Sequence, residues 1–316
     1  MVSNINGTYI FYEDGKEIYR QSNLITKFGK RYITQAMAGI NANEKKDIAV
    51  GIGSTAATEN DTQLEFEFYR SQANLQSIDI QTSTVDGTTS YGVIYKTTLP
   101  TDASGIISEL GLFPSTTFGT TDFQSKLIST FENTPLWLDE NLDTPETDTS
   151  VVAPIGSSWM SVVSSNGAEK EYSYVSLLDL VGYGSNDSVS IAYRQSDTNL
   201  DYVFIRFYSS DSDYYEIRFD GTTVGNKIQK ITLREVYDNT YQYNVGTPNQ
   251  NIIKVGVGVK ANTGQNSTVL FDGLRINDED SFRVDYGMIS RSVLSTPQTK
   301  TLGKQMDIEY RLGLNF

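Results

Sequence analysis

Apolar and polar residues alternate most regularly at the C-terminal end of the chain. Met306, Ile308, Tyr310, Leu312, Leu314 and Phe316 fall on one side, and Asp307, Glu309, Arg311, Gly313 and Asn315 on the other. A period of two is the mark of a strand with one buried face, and such a strand needs a sheet to cover it. The same period recurs at Val189, Ile191, Tyr193, at Val203, Ile205, Phe207, at Tyr215, Ile217, Phe219 and at Val255, Val257, Val259. Turn signals separate these runs: Gly184-Ser185-Asn186-Asp187, Asp220-Gly221 and Asn262-Thr263-Gly264. Regularly spaced strands of this kind predict a β-sandwich. A last strand of the segment spans Ser267 to Ile276, with Val269, Phe271, Leu274 and Ile276.

Nearer the N-terminus the pattern is mixed. A hairpin is predicted over 7–20, turning at Asp14-Gly15. Leu24, Ile25, Phe28, Tyr32, Ile33, Ala36 and Met37 then recur at helical spacing, with Ser22 as the expected N-cap and Gly39 at the C-terminal cap. Strands follow over 48–54, 73–82, 91–98 and 106–113, the middle two joined across Asp86-Gly87. Gly51 and Gly53 do not make a phosphate loop, because no helix with Lys and Ser/Thr at the required spacing follows. They read as a strand that another backbone approaches closely. Pro135, Pro154 and the acids from Asp139 to Asp148 (Asp139, Glu140, Asp143, Glu146, Asp148) read as a solvated linker containing Trp137.

The expected fold is therefore mostly β: a small α+β domain, one main helix on an antiparallel sheet, interrupted by an inserted β-sandwich. Residues 1–130 together with 286–316 form the first domain, 131–149 the linker and 150–285 the insert. The C-terminal strand is assigned to the N-terminal sheet because the sandwich is complete without it.

Composition narrows the chemistry. The chain has neither cysteine nor histidine. Thiol catalysis, disulfides, serine triads and histidine-based zinc hydrolysis are excluded, leaving carboxylates as the one enzymatic option. No enzyme is expected, since no paired-carboxylate motif stands out. Twenty-five basic against 39 acidic residues give a formal charge of −14, which disfavours nucleic acid and anionic membranes as partners. Met1-Val2-Ser3-Asn4 shows no signal sequence and no stretch is apolar enough to span a bilayer, so a soluble chain without membrane insertion is expected.

Several segments resemble a known family. Asn23-Leu24-Ile25-Thr26-Lys27-Phe28-Gly29 looks like the helix start of phage tail-collar and tail-fibre proximal domains. The strand Ile48–Gly53, then Asp61-Thr62-Gln63-Leu64 with Glu67 and Arg70, then Ile107-Ser108-Glu109-Leu110-Gly111-Leu112-Phe113, follow in the family's order. The resemblance covers about 125 residues. It implies a virion protein, assembled in the host cytoplasm, whose first domain docks on other virion proteins at a tail, collar or baseplate. The family's long repetitive shaft is missing, which also admits a capsid-decoration or head-fibre role. Glu67, Arg70 and Glu109, the charges that match the family, are expected to form a structural pair rather than an acid/base site. Virion proteins tile symmetric particles, so a homo-oligomer is expected.

The insert is similar in pattern to jelly-roll carbohydrate-binding modules, carried by Leu177–Leu180, Tyr183, Asn186–Val189, Asp213–Glu216 and Leu270–Ile276. This implies a host-surface polysaccharide or a neighbouring subunit as partner, or a free-standing glycan-binding protein. Sugar binding uses exposed aromatic rings with polar neighbours. The candidates are Trp159, Tyr183, Tyr208 and Tyr214, with Tyr174, Tyr241 and Tyr243 behind them. Modules of this type often carry a structural calcium, for which Asp211, Asp213 and Asp272 are the expected ligands. No other cofactor is expected.

Overall fold

The computed structural model describes residues 4–40, 46–82, 89–114, 126–221, 223–237, 243–278 and 287–315. The chain divides into two compact units, Met1–Phe123 with Ser281–Phe316, and Gln124–Asp280. Among the described residues it forms nineteen strands, numbered β1–β19 along the sequence. The protein is mostly β.

The first unit contains β1 (Asn4–Glu13), β2 (Lys16–Ser22), β3 (Leu24–Ile25), β4 (Lys46–Gly51), β5 (Glu67–Thr82), β6 (Thr89–Leu99), β7 (Gly105–Pro114), β18 (Ser290–Lys300) and β19 (Met306–Asn315). They form one antiparallel sheet in the order β2-β1-β19-β6-β5-β4-β7-β18-β3. The long β5 serves both halves, pairing with β4 through Ala73 and with β6 from Asn74 onward. The sheet curls until its two ends meet. The Tyr9 hydroxyl on β1 lies 3.1 Å from Ser290 Oγ on β18, and the Tyr19 hydroxyl on β2 lies 2.9 Å from Ser295 Oγ. Tyr9, Phe11, Ile48, Val50, Leu110, Ile308 and Tyr310 form the core inside the curl. The alternation in β19 buries Met306, Ile308 and Tyr310, with β1 on one side and β6 on the other. The side chains of Leu314 and Phe316 lie outside the described residues, as does the Asp86-Gly87 turn.

The helix α1 spans Lys27–Met37. Its N-cap is Thr26, whose hydroxyl accepts a hydrogen bond from Gly29 N, and not Ser22. Ser22 ends β2, and Leu24-Ile25 pairs with Ser290 and Arg291 before the chain turns into the helix. Phe28 and Tyr32 pack on the core, whereas Met37 is exposed.

A buried charge cluster ties this unit together. Glu109, on β7, has no solvent exposure. Its Oε1 accepts from the N–H groups of Gly53 (3.0 Å) and Phe66 (2.9 Å), and its Oε2 from Glu65 N (3.1 Å) and from Arg291 Nε (3.1 Å) and Nη2 (2.8 Å). Arg291 also reaches Asp61 at 2.8 Å. A Cβ on Gly51 or Gly53 would run into the Glu109 side chain, so a carboxylate as well as a neighbouring backbone explains these glycines. Glu67 and Arg70 pair with each other, bidentate at 2.9 and 2.6 Å, and Arg70 stacks 3.9 Å above the Phe113 ring. The expected trio thus separates, and Glu109 takes Arg291 as its cation.

The second unit is a sandwich. One sheet runs β15 (Gly225–Thr232), β12 (Ser188–Gln195), β17 (Ser267–Asn277), β10 (Trp159–Ser164), β9 (Glu146–Asp148), with β8 (Lys126–Ser129) also paired to β17. The other runs β11 (Glu169–Asp179), β16 (Asn251–Ala261), β13 (Leu200–Tyr208), β14 (Tyr214–Asp220). Strands β10 to β17 divided as β10-β17-β12-β15 and β11-β16-β13-β14 are a jelly roll. Val189, Ile191, Val203, Ile205, Phe207, Val255, Val257 and Phe271 meet in its core.

Residues 131–149 are not a linker. Phe131 and Trp137 lie in the sandwich core, rings 4.8 Å apart, and β9 pairs with β10. Asp139 is buried, accepts from Asn141 N and Asp143 N, and pairs with Lys170 at 2.5 Å. Asp148 accepts from Ser150. These acids hold their own turns, so a run that reads as solvated charge is local capping.

Removing one partner of a buried pair strands the other. Glu109→Ala is expected to cost about 3–5 kcal/mol. Hydrogen-exchange mass spectrometry should show lost protection at 49–53, 65–70 and 290–293 with amides 188–208 unaffected. Unchanged protection at Gly53 and Phe66 would show that the cluster does not hold the unit.

Candidate functional site

The outward face of sheet β11-β16-β13-β14 follows from the alternation that builds the core. With Val203, Ile205 and Phe207 inward, Tyr202, Phe204, Arg206 and Tyr208 point out; with Tyr215 and Ile217 inward, Tyr214, Glu216 and Arg218 point out. The registers align these into rows across the four strands. Glu169, Lys260, Tyr202 and Asp220 form one row; Glu171, Gly258, Phe204 and Arg218 the next. Ser173, Gly256, Arg206 and Glu216 form the third, and Val175, Lys254, Tyr208 and Tyr214 the fourth. Gly256 and Gly258 open a trough in β16. A side chain at Gly256 would displace Glu171, and one at Gly258 would displace the Phe204 ring.

Arg206 is the centre. Its Nε donates to Glu216 at 2.6 Å, Nη1 to Glu171 at 2.5 Å and Nη2 to Glu169 at 2.8 Å. Arg218 Nε donates to the other oxygen of Glu216 at 2.5 Å. The hydroxyl of Tyr202 donates to Glu169, and that of Tyr208 to Glu171 at 2.7 Å. Cations cover the rings: Arg206 lies 4.2 Å from the Phe204 centroid and 4.9 Å from Tyr214. Arg218 lies 3.6 Å from Tyr243 and 4.2 Å from Tyr202, and Lys254 4.2 Å from Tyr208. Such stacking is favourable where water is excluded.

The titration behaviour follows the packing. Burial raises the Glu171 carboxyl, against the pull of the Arg206 charge. Burial also acts to raise Glu169, but the hydrogen bonds from Tyr202 and Arg206, with the Arg206 charge, win and hold it below its ordinary value. Burial and the neighbouring carboxylates push Tyr202 and Tyr208 well up, so both phenols stay protonated donors. The face is a rigid, hydrogen-bonded surface of arginine, carboxylate and aromatic groups, able to offer both polar partners and ring surface to a polyhydroxylated ligand.

Of the residues expected from sequence, Tyr208, Tyr214 and Tyr243 belong to this face; Tyr243 is half-exposed on Arg218. Tyr241 lies outside the described residues. Trp159 is buried elsewhere with Ala153 and Leu270, its Nε1 donating to Val151 O, and so offers no platform. Tyr183 is in the sandwich core, where burial pushes its phenol up to about 12. Tyr174 packs 5.5 Å from Trp137. Glu169, Glu171, Arg206, Glu216 and Arg218, the centre of the face, are not among the binding residues expected from sequence, where Glu216 figures only in the Asp213–Glu216 jelly-roll pattern. Their signal is positional: Glu171, Arg206, Glu216 and Arg218 each adjoin a core residue on their strand, and Glu169 keeps the outward period of Glu171.

The calcium ligands expected do not gather. Asp211 is exposed beside Lys254, while Asp213 accepts from Ser210 Oγ and Thr247 N in the β13–β14 turn. Asp272 is fully buried in β17 of the other sheet. Among the described residues no group of three or more acids can hold a metal. The donor set expected for calcium therefore does not fit.

No protein-family model matches the sequence, and no curated protein matches it. Among solved structures, it is similar to an exo-beta-agarase at 14% identity and TM-score 0.37, covering 48% of this chain and 25% of that one. The match thus spans only a quarter of the agarase. A family 30 carbohydrate-binding module from a Clostridium thermocellum cellulase is similar at 15% identity and TM-score 0.38, covering 50% and 99%. A family 11 module of the same organism, solved with a mixed-linked β-1,3-1,4 tetrasaccharide, is similar at 14% and 0.34, covering 48% and 95%. At these values the likeness extends to neither site nor ligand.

Asp272 carries its own consequence. One oxygen accepts from Ile155 N at 2.7 Å, and Oδ1 is buried without a partner. Burial pushes this carboxyl up to about 8, the Glu132 charge adds to the rise, and the Ile155 N–H pulls against it. The fold therefore holds the protonated acid better than the unfolded chain does. The stability it contributes is full below its ordinary value of 3.8 and is lost as pH rises through about 8. In chelator-containing buffer, wild type should lose roughly 1.4 kcal/mol per pH unit relative to Asp272→Asn across that window. Parallel denaturation curves for the two proteins from pH 4 to 8 would contradict the assignment.

Proposed function

We propose that the second unit is a glycan-binding module whose ligand lies on the outward face of β11-β16-β13-β14. The observation that carries this reading is the Arg206 cluster. One guanidinium holds three carboxylates and lies against the Phe204 and Tyr214 rings, and two of those carboxylates in turn hold the hydroxyls of Tyr202 and Tyr208. The jelly roll supplies rigid strands for it, which place polar groups more accurately than loops do. The acids of the face are engaged by Arg206, Arg218 and the two phenols, which suits binding better than acid/base catalysis.

The first unit is then the attachment part, and a tailed-phage particle is its proposed home. The support is the ordered motif set. Gly53, the Asp61–Phe66 stretch and Glu109 come from three separate motif segments and converge on one cluster with Arg291. Docking at a tail, collar or baseplate is the favoured position, in several copies.

A glycan array probed with the full chain tests the first part. Tyr243→Ala removes an exposed ring with little cost to the fold and is expected to weaken glycan binding at least about tenfold with Tm within roughly 2 °C. Wild-type affinity in this variant would remove the face from recognition. Electron cryo-microscopy of purified particles tests the second part. Density for the first unit against the particle is expected, and particles lacking the chain by mass spectrometry would end the virion reading.

A further inference from the structure

The face just described is not polar throughout. At the end of β11 its outward positions become Val175 and Leu177, 73% and 83% exposed. They follow Glu169, Glu171 and Ser173 on the same side of the strand, while Leu178 keeps the inward period of Tyr172 and Tyr174, and the pairing with β16 shifts by one residue between Val175 and Leu178. Ile253, 39% exposed, lies on β16 opposite that shift. Val175 shares a row with Lys254, Tyr208 and Tyr214. An aliphatic strip therefore continues the hydrogen-bonding surface, two strands or about 10 Å from the Tyr208 ring. Adjacent exposed aliphatic side chains on an otherwise polar surface mark a contact.

A second copy of the chain is a poor occupant. Strand addition along the outer edge of β11 is interrupted where Leu138 and Ser173 exchange N–H···O bonds at 2.9 and 2.8 Å. Three aliphatic side chains also offer far less than the roughly 800 Å² per partner of a stable protein interface. The strip is the size of small substituents on a ligand already held by the rows beside it.

We infer that the glycan recognised by this face carries methyl groups, on 6-deoxy sugars or acetyl substituents, which seat on Val175, Leu177 and Ile253. This rests on the glycan-binding reading of the face. A methyl group asks for no hydrogen bond, so it gains from an aliphatic seat where a hydroxyl loses its water without replacement.

The test is calorimetric titration of the full chain with matched probes. Chitotetraose is set against cellotetraose for the acetyl case, and a rhamnose oligosaccharide against the corresponding mannose oligosaccharide for the 6-deoxy case. The methyl-bearing member of at least one pair is expected to bind roughly three- to tenfold tighter, and the pair that responds tells acetyl from 6-deoxy. The double substitution Leu177→Ser, Ile253→Ser, at two positions outside the four rows of the face, should erase that preference while leaving the affinity for the methyl-free member unchanged. Equal affinity within both pairs, or a preference that survives the double substitution, overturns the strip's role and leaves the glycan face standing. Binding of no probe, on the array or in titration, overturns both. A dimer in sedimentation that the double substitution converts to monomer assigns the strip to self-association instead.

Discussion

A carboxylate shut away from water has to find all its partners within the protein, and Glu109 is such a group. The cost of burying one charge is offset only when its oxygens are fully engaged and an opposite charge sits close by. Glu109 meets both conditions by drawing in the loop after β4, the chain just before β5 and the arginine of β18. The position of each of those segments is thereby fixed to the position of one side chain. The mutual register of β4, β7 and β18 follows, because these strands cannot slide past one another without breaking a contact to that carboxylate.

The sandwich applies the same rule with the signs exchanged. Arg206 is the enclosed cation, and Glu169, Glu171 and Glu216 surround it. The difference is exposure. The Glu109 cluster faces the interior and can only order the fold, whereas the Arg206 cluster lies on an outer face where Glu169 and Arg218 keep partial contact with water. Order at a surface is what pre-organised recognition needs, since groups already held in place lose little freedom when a ligand arrives.

Much of the fold was legible along the chain. Alternation marks β19 through Met306, Ile308 and Tyr310, and β13 through Val203, Ile205 and Phe207, because one buried face leaves an unmistakable period. Other features were not legible, for physical reasons. Arg291 lies 182 positions from Glu109, and no local signal joins them. Thr26 rather than Ser22 caps the helix because two intervening residues pair with β18, a tertiary event. Phe131 and Trp137 were hidden among prolines and acids whose side chains turned out to cap local turns. At the candidate site the three tyrosines found from sequence are its rim. Its centre escaped because an arginine or glutamate between two core residues looks like any solvated position until four registers bring such residues together. Trp159 and Tyr183 misled in the opposite direction, since ring chemistry alone does not distinguish a platform from a core.

The connections at the unit boundary also have a consequence. In the first unit the outgoing strand β7 pairs with the returning strand β18, with Leu112 opposite Ser290. In the second, β8 near the entrance pairs with β17 near the exit, Ser129 opposite Leu274. From the standpoint of the first sheet, everything between is the loop of one very long hairpin. Because the entropy of closing a loop grows only logarithmically with its length, enlarging or replacing that loop costs the sheet little. The sheet thus tolerates a long or a short excursion between β7 and β18 at nearly the same entropic cost, and its own pairing does not depend on what that excursion folds into.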